Sequence, residues 1–298
     1  MTSAQAITSL TPYIPWTDAR GRLSPFKLFV FLGILLPGLL LAYGLLAGTL
    51  GSKPVEAAIH ETGDWAIRYL FLSLSITPLR RIASWPKLIQ VRRMLGLAAL
   101  GYALLHLTFY AADEAWDLQK VASEIVLRIY LTIGFTALFM MALLGATSTD
   151  GAIRKMGANW NRLHKVAYAI AILAGLHFFM QSKSDVTEAT LMSGFFVLLM
   201  GYRIAHRLKF DIASPLTLAV VAALSGLATA GLEYAWYAIA TGIPAERVLA
   251  ANLDFSYSIR PAWWVAFTGF AVTALPILVF LRDRLFKSSG PRVSSART

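Results

Sequence analysis

The chain has 298 residues, 57% of them hydrophobic and 14% charged, with a mean hydropathy of +0.61 and a formal net charge of +11. A soluble domain carries about a quarter charged residues, so this composition is that of a polytopic membrane protein, and the positive charge reads as basic loops at one membrane face, with no nucleic-acid partner. The chain has no cysteine, which excludes disulfides, cysteine-ligated iron–sulfur clusters, thiolate ligation and covalent attachment through CxxCH.

Residues 1–24 are polar and do not read as a secretory signal. The first apolar run, from Pro25, is too long for a signal-peptide core. Apolar runs then fall near 25–47, 65–79, 94–112, 122–145, 163–181, 189–206, 213–240 and 261–281, predicting eight membrane helices. Thr77-Pro78 is expected to bend or end the second. Basic residues gather in alternate connections: Arg20, Arg22 and Lys27; Arg80, Arg81, Lys87, Arg92 and Arg93; Arg154, Lys155, Arg162 and Lys165; Arg203, Arg207 and Lys209; Arg282, Arg284, Lys287, Arg292 and Arg297. The other connections are acidic or mixed. By the positive-inside rule both termini are cytoplasmic. No inverted repeat and no Gly-rich phosphate loop is visible, so a nucleotide-dependent donor would be a separate protein.

Ionisable residues within a span are costly and usually face the bundle interior. His164 and His177 lie thirteen residues apart on the fifth predicted helix, roughly 20 Å along the axis. His106 lies thirteen residues after Arg93 on the third. The third and fifth helices run in the same direction, which puts His106 and His177 at one depth. Two histidines at one depth on two helices suit the two axial positions of a low-spin haem. The alternative is a pair of unrelated core histidines.

His164 has Arg92 and Arg93 at its level on the third helix, in place of a histidine. A haem there would take one protein ligand, or a second from elsewhere, such as His206. Arg92, Arg93 and Arg162 suit haem propionates, or serve topology alone. An ideal helix leaves His164 and His177 about 140° apart in azimuth, so both face the third helix only if the fifth is overwound or bent. His60 is expected in the loop before the second helix, as a candidate periplasmic-side site or a solvated side chain. Glu233, deep in an apolar run, reads equally as a proton relay or the partner of a neighbouring helix.

TPLRR (77–81), RRMLGL (92–97), LLHLTFY (104–110), YLTIG (130–134), LGATST (144–149) and NWNRLHKVAYAIAILAGLHF (159–178) follow in the order seen in the MsrQ family, formerly YedZ, which this chain resembles over about residues 25–210. These are haem-binding membrane subunits of the bacterial methionine-sulfoxide reductase system, within the ferric reductase-like transmembrane superfamily. The resemblance implies an all-α, polytopic helical bundle. It covers a six-helix core, 25–211; the chain departs from the usual six-helix form by two additional helices in 212–284, and a cytoplasmic segment 1–24 and a cytoplasmic tail 285–298 complete it.

The resemblance further implies a bacterial inner-membrane location. It implies b-type haem, one or two, held by His106, His164 and His177, and an association with FMN that no motif here places. Electrons would come from the quinone pool or a cytoplasmic flavin reductase. They would pass to a periplasmic molybdopterin enzyme that reduces methionine sulfoxide in damaged proteins, so this chain would be an electron-transfer subunit and not the catalytic one. A ferric- or oxygen-reducing haem enzyme of the same superfamily, and a transporter or structural membrane protein, are the competing readings.

Overall fold

The computed structural model describes residues 14–18, 20–182, 185–256 and 258–287. Residues 1–13, Lys183 and the tail beyond 287, with Arg292 and Arg297, lie outside them. The described residues are helical, apart from turns and one isolated bridge between Thr17 and Leu23. Contacts divide the chain into two compact units, residues 1–76 with 89–183, and residues 77–88 with 184–298.

The first unit begins with α1 (Pro25–Ala47), capped by the Ser24 side chain accepting from the Lys27 N–H. Pro37 lies inside it and breaks its ladder, because proline has no N–H and its ring crowds the preceding turn. Two tyrosines repair the break. Tyr69 Oη donates to the Gly33 carbonyl at 3.0 Å, and Tyr102 Oη donates to Ile34 O and accepts from Gly38 N, both at 2.8 Å. Tyr69 belongs to α2 (Pro54–Ile82) and Tyr102 to α3 (Arg92–Asp113), which follows a 3₁₀ turn over Pro86–Val91. Backbone groups in hydrocarbon must find protein partners, so the proline ties three helices together.

α2 corrects the expected start and end of the second helix. It starts eleven residues before the apolar run, so His60 lies within the helix and not in a loop, with its side chain exposed. It does not end at Thr77-Pro78 but continues to Ile82, a total of 29 residues, ~44 Å of helix. Its charges also set it apart: seven helices among the described residues are long and apolar enough to cross a membrane, against eight expected, and α2 is not among them. One pair of those charges, Asp64 and Arg68, is joined at 3.6 Å one turn apart.

The fourth apolar run is also divided. α4 (Leu118–Leu127) and α5 (Ile129–Ala146) are separated by Arg128 in an extended conformation. Arg128 bonds Glu124 Oε1 at 2.8 Å and Tyr130 Oη at 3.0 Å, and Glu124 also accepts from Tyr110. This polar knot makes the corner, with the Asp117 side chain capping α4. After the short α6 (Asp150–Met156) and α7 (Ala158–Leu163), α8 (Val166–Gln181) packs against α5. Much of the outside of α1 is bare Phe29, Leu36, Leu39, Leu40 and Leu46, as fits a lipid-facing helix.

In the second unit, α9 (Thr187–Arg207), α10 (Pro215–Ala240) and α12 (Pro261–Val272) pack through small residues. A Cβ on Gly194 would meet Thr229 Oγ1 at 2.6 Å and Val265 Cγ2 at 2.7 Å, and one on Gly269 would meet Ala222 Cβ at 2.6 Å. Lipid tails are as apolar as leucine, so helices in a membrane associate by such close approach and by polar pairs. The polar pair here is Glu233, fully buried on α10, with Arg260 just before α12. Glu233 is therefore the partner of a neighbouring segment. α11 (Ala245–Ala250) and a 3₁₀ turn over Ala251–Leu253 supply Asn252, whose carbonyl accepts from Trp263 Nε1 at 2.7 Å.

The last apolar run is broken at Thr273, before α13 (Ala274–Lys287). Pro276 cannot bond back to Val272, and Thr273 instead bonds Phe270 O through its N–H at 3.0 Å and its hydroxyl at 2.6 Å.

Candidate functional site

His106 on α3 and His177 on α8 come together. Their ring centres are 6.2 Å apart and their planes stand at 86°. An imidazole nitrogen sits about 2.0–2.1 Å from a bound metal, with the ring centre about 1.1 Å behind it, so two imidazoles sharing one ion axially place their centres roughly 6 Å apart. The observed 6.2 Å matches that spacing.

The outer nitrogen of each ring is already engaged. His106 Nδ1 lies 2.8 Å from the Ile59 carbonyl on α2, and His177 Nδ1 lies 2.8 Å from the Tyr130 carbonyl on α5. A carbonyl only accepts, so each Nδ1 carries the proton and each Nε2 presents its lone pair. A metal-binding histidine is held in tautomer and orientation by such a bond. Sequence reading placed the two imidazoles at one depth but missed Ile59 and Tyr130, because a backbone acceptor leaves no residue-type signal.

His164 is held differently. It closes the short α7, stacks on Trp160 with centres 3.8 Å apart, and places Nδ1 3.1 Å from the Trp160 carbonyl. Its Nε2 faces Ser148 Oγ at 3.4 Å, and the Leu144 carbonyl is also within reach of the ring. Trp160 Nε1 donates to Thr147 O at 2.9 Å. The LGATST and NWNRLH segments thus meet here.

The helix is also interrupted at His164, where Lys165, Ala167 and Tyr168 bond three residues back. Bonds three residues back tighten the winding there, and tighter winding narrows the ideal-helix gap of about 140° between His164 and His177.

The arginines divide. Arg93 pairs with Asp150 at 2.6 Å on an exposed surface, and the Arg93 charge holds the Asp150 carboxyl below its ordinary value. Arg162 contacts Asn159 at 3.4 Å. The Arg92 guanidinium lies within electrostatic reach of His164, and its carbonyl accepts from Ser73 at 3.0 Å. His60 is within electrostatic reach of His106. His206 is exposed in the last turn of α9, in the other unit. No group of three or more His, Cys, Asp or Glu side chains that could hold a metal ion occurs among the described residues.

A membrane-spanning helical chain with two opposed imidazoles at one depth is the class to which the family comparison also points. The model of the ferric reductase like transmembrane component matches residues 62–175, a stretch that includes His106 and His164. The chain is 37% identical over 193 residues to the protein-methionine-sulfoxide reductase heme-binding subunit MsrQ of Azospira oryzae, covering 64% of this chain and 83% of that one. It is 45% identical over 161 residues to MsrQ of Xanthomonas campestris pv. campestris and 42% identical over 161 residues to that of Xanthomonas euvesicatoria, in each case 54% of this chain and 74% of the relative. No solved structure matches the chain. The chain belongs to the MsrQ family.

Proposed function

We propose that this protein is a b-type haem electron-transfer subunit, with His106 and His177 as the axial ligands of one haem. The observation that carries the reading is the opposition of the two rings at 6.2 Å and 86°, each with Nδ1 on a backbone carbonyl. A bound haem supplies one-electron chemistry at its iron. The chain's own part is to hold both imidazoles as neutral Nε2 donors, to keep them within the bundle, and to bring cationic side chains to the His164 end.

His164 is proposed as the ligand of a second haem nearer the basic loops. Its ring must first leave Ser148 and Leu144. Arg92 is the best-placed cation for a propionate there, with Arg162 available on the same turn as His164. Arg93 would have to give up Asp150. His60 is a candidate to line the opposite side of the His106 site.

The names of the relatives support a methionine-sulfoxide reductase as the electron acceptor. By the family resemblance that partner would be a periplasmic molybdopterin enzyme, with the quinone pool or a cytoplasmic flavin reductase as donor. The basic loops support an inner-membrane orientation with both termini in the cytoplasm; this places α2 across the bilayer too. FMN remains an association of the family, assigned to no residue here. Direct reduction of ferric iron or oxygen is the second reading, favoured by the name of the matching family model.

A visible spectrum of the purified protein tests the central proposal. Dithionite should bring up the α and Soret bands of b-type haem. Their absence from a protein loaded with haem during expression would overturn it. Rapid reoxidation by the partner reductase, and slow reoxidation by ferric chelates, would favour the first acceptor over the second.

A further inference from the structure

The two axial histidines are held by the same device, built twice. Ile59 accepts from His106 and Tyr130 accepts from His177, and in both cases donor and acceptor are 47 residues apart in the chain. Four residues after each acceptor stands a glycine, Gly63 on α2 and Gly134 on α5, and it lies under the ring that the acceptor holds. A Cβ on Gly63 would meet His106 Nδ1 at 3.0 Å and Cε1 at 3.2 Å. A Cβ on Gly134 would meet His177 Nδ1 at 2.7 Å, Cε1 at 2.8 Å and Cγ at 3.0 Å.

Adding 71 to Ile59, Gly63 and His106 gives Tyr130, Gly134 and His177. The same offset relates buried Ala66 to Ala137, Leu70 to Met141 and Ala99 to Ile170. The histidine, its carbonyl acceptor and the glycine are thus set at the same spacing along the chain in α2–α3 and in α5 with α8. One departure is informative: the offset takes Arg93 to His164. Only one of the two levels carries a histidine at both positions.

We infer that Gly63 and Gly134 are positioning residues for the paired histidines. Each leaves the space that lets an imidazole lie against the carbonyl one turn upstream. The physical requirement is steric. In an α-helix the carbonyl of residue i is bonded by the N–H of residue i+4, here the glycine itself, so the imidazole must reach that carbonyl as a second donor. The approach passes over the Cα of residue i+4, and any side chain there stands in the way. Glycine within a helix is less favourable than alanine, and at both positions it leaves the room that the ring occupies.

The inference rests on the axial-ligand reading, and the experiment separates the two. Gly63→Ala, Gly134→Ala and the control Gly101→Ala, where a Cβ meets nothing within 4 Å, are compared with the unchanged protein. The readouts are haem per protein, carbon monoxide binding to the reduced form and the low-temperature electron paramagnetic resonance of the ferric form. In the unchanged protein and Gly101→Ala the His106–His177 haem should be low-spin, refuse carbon monoxide and show the strongly anisotropic signal of perpendicular axial imidazoles. Gly134→Ala should bind carbon monoxide in most of its haem, because the His177 ring is displaced. Gly63→Ala, with the milder encounter, should keep its haem but move the largest g value as the His106 plane rotates.

Alanine favours the helix, so both variants are expected to insert. If Gly134→Ala does not accumulate, Gly63→Ala decides the matter by itself. Spectra of both variants identical to Gly101→Ala would overturn the inference while leaving the ligands in place. A haem-free unchanged protein would instead overturn the axial-ligand reading.

Discussion

His106 and His177 lie 71 residues apart in sequence, yet their ring centres are 6.2 Å apart with the planes at 86°. Replacing either by alanine should remove the same low-spin haem while the protein still inserts, because one remaining imidazole cannot hold six-coordinate iron. Reduced-minus-oxidised spectra of both variants check this. A full reduced spectrum from either one would break the pairing.

His164 lies in a different setting, stacked on Trp160 and facing Ser148. The His164→Ala variant should lose or shift a separate spectral component and keep the His106–His177 haem. Redox titration resolves the two if they differ in potential. An unchanged spectrum and haem content would reduce His164 to a helix-end residue.

The tyrosine repair of α1 predicts a stability effect away from the site. Tyr102→Phe strips Ile34 O and Gly38 N of their bridging hydroxyl. Buried polar groups left unpaired cost about 1–3 kcal/mol, and membrane hydrogen bonds measure nearer the lower end. Denaturation in detergent should show a loss of about 1 kcal/mol with little change in the haem spectrum.

The Arg93–Asp150 pair predicts a pH dependence. Arg93 lowers the Asp150 carboxyl from its ordinary value, so the contribution to stability is present above the unfolded value, near pH 4, and is lost as pH falls through the folded value. Both partners are exposed, so the effect is small. Thermal scans should find Asp150→Asn slightly less stable than the unchanged protein at pH 6, with the difference fading below pH 4.

Truncation tests how the added helices relate to haem binding. Every candidate axial histidine in the first unit precedes residue 183, whereas α9 packs on α10 and α12. A chain of residues 1–211 should keep its haem, as the expected boundary requires, but with a lower melting temperature because α9 loses its small-residue contacts at Gly194 and Gly201. Loss of haem from a truncated protein that still inserts would make the C-terminal helices part of the haem-binding core.

Several features were legible in the residues alone. Low charge and long apolar runs determined an all-helical membrane protein, because hydrocarbon leaves the backbone few other ways to satisfy itself. The equal distances of His106 from Arg93 and of His177 from His164 put two imidazoles at one depth, because helical rise per residue is constant. Tertiary structure alone decided what completes the site. The Ile59 and Tyr130 carbonyls, the glycines beneath the rings and the overwinding after His164 depend on the approach of neighbouring backbones and carry no periodic signal. The division of the fourth run at Arg128 was also hidden, since it is set by Glu124 and Tyr130 closing on one guanidinium. Composition and rise act along one helix and can be read from it; a carbonyl offered to an imidazole 47 residues away exists only once the two helices have packed.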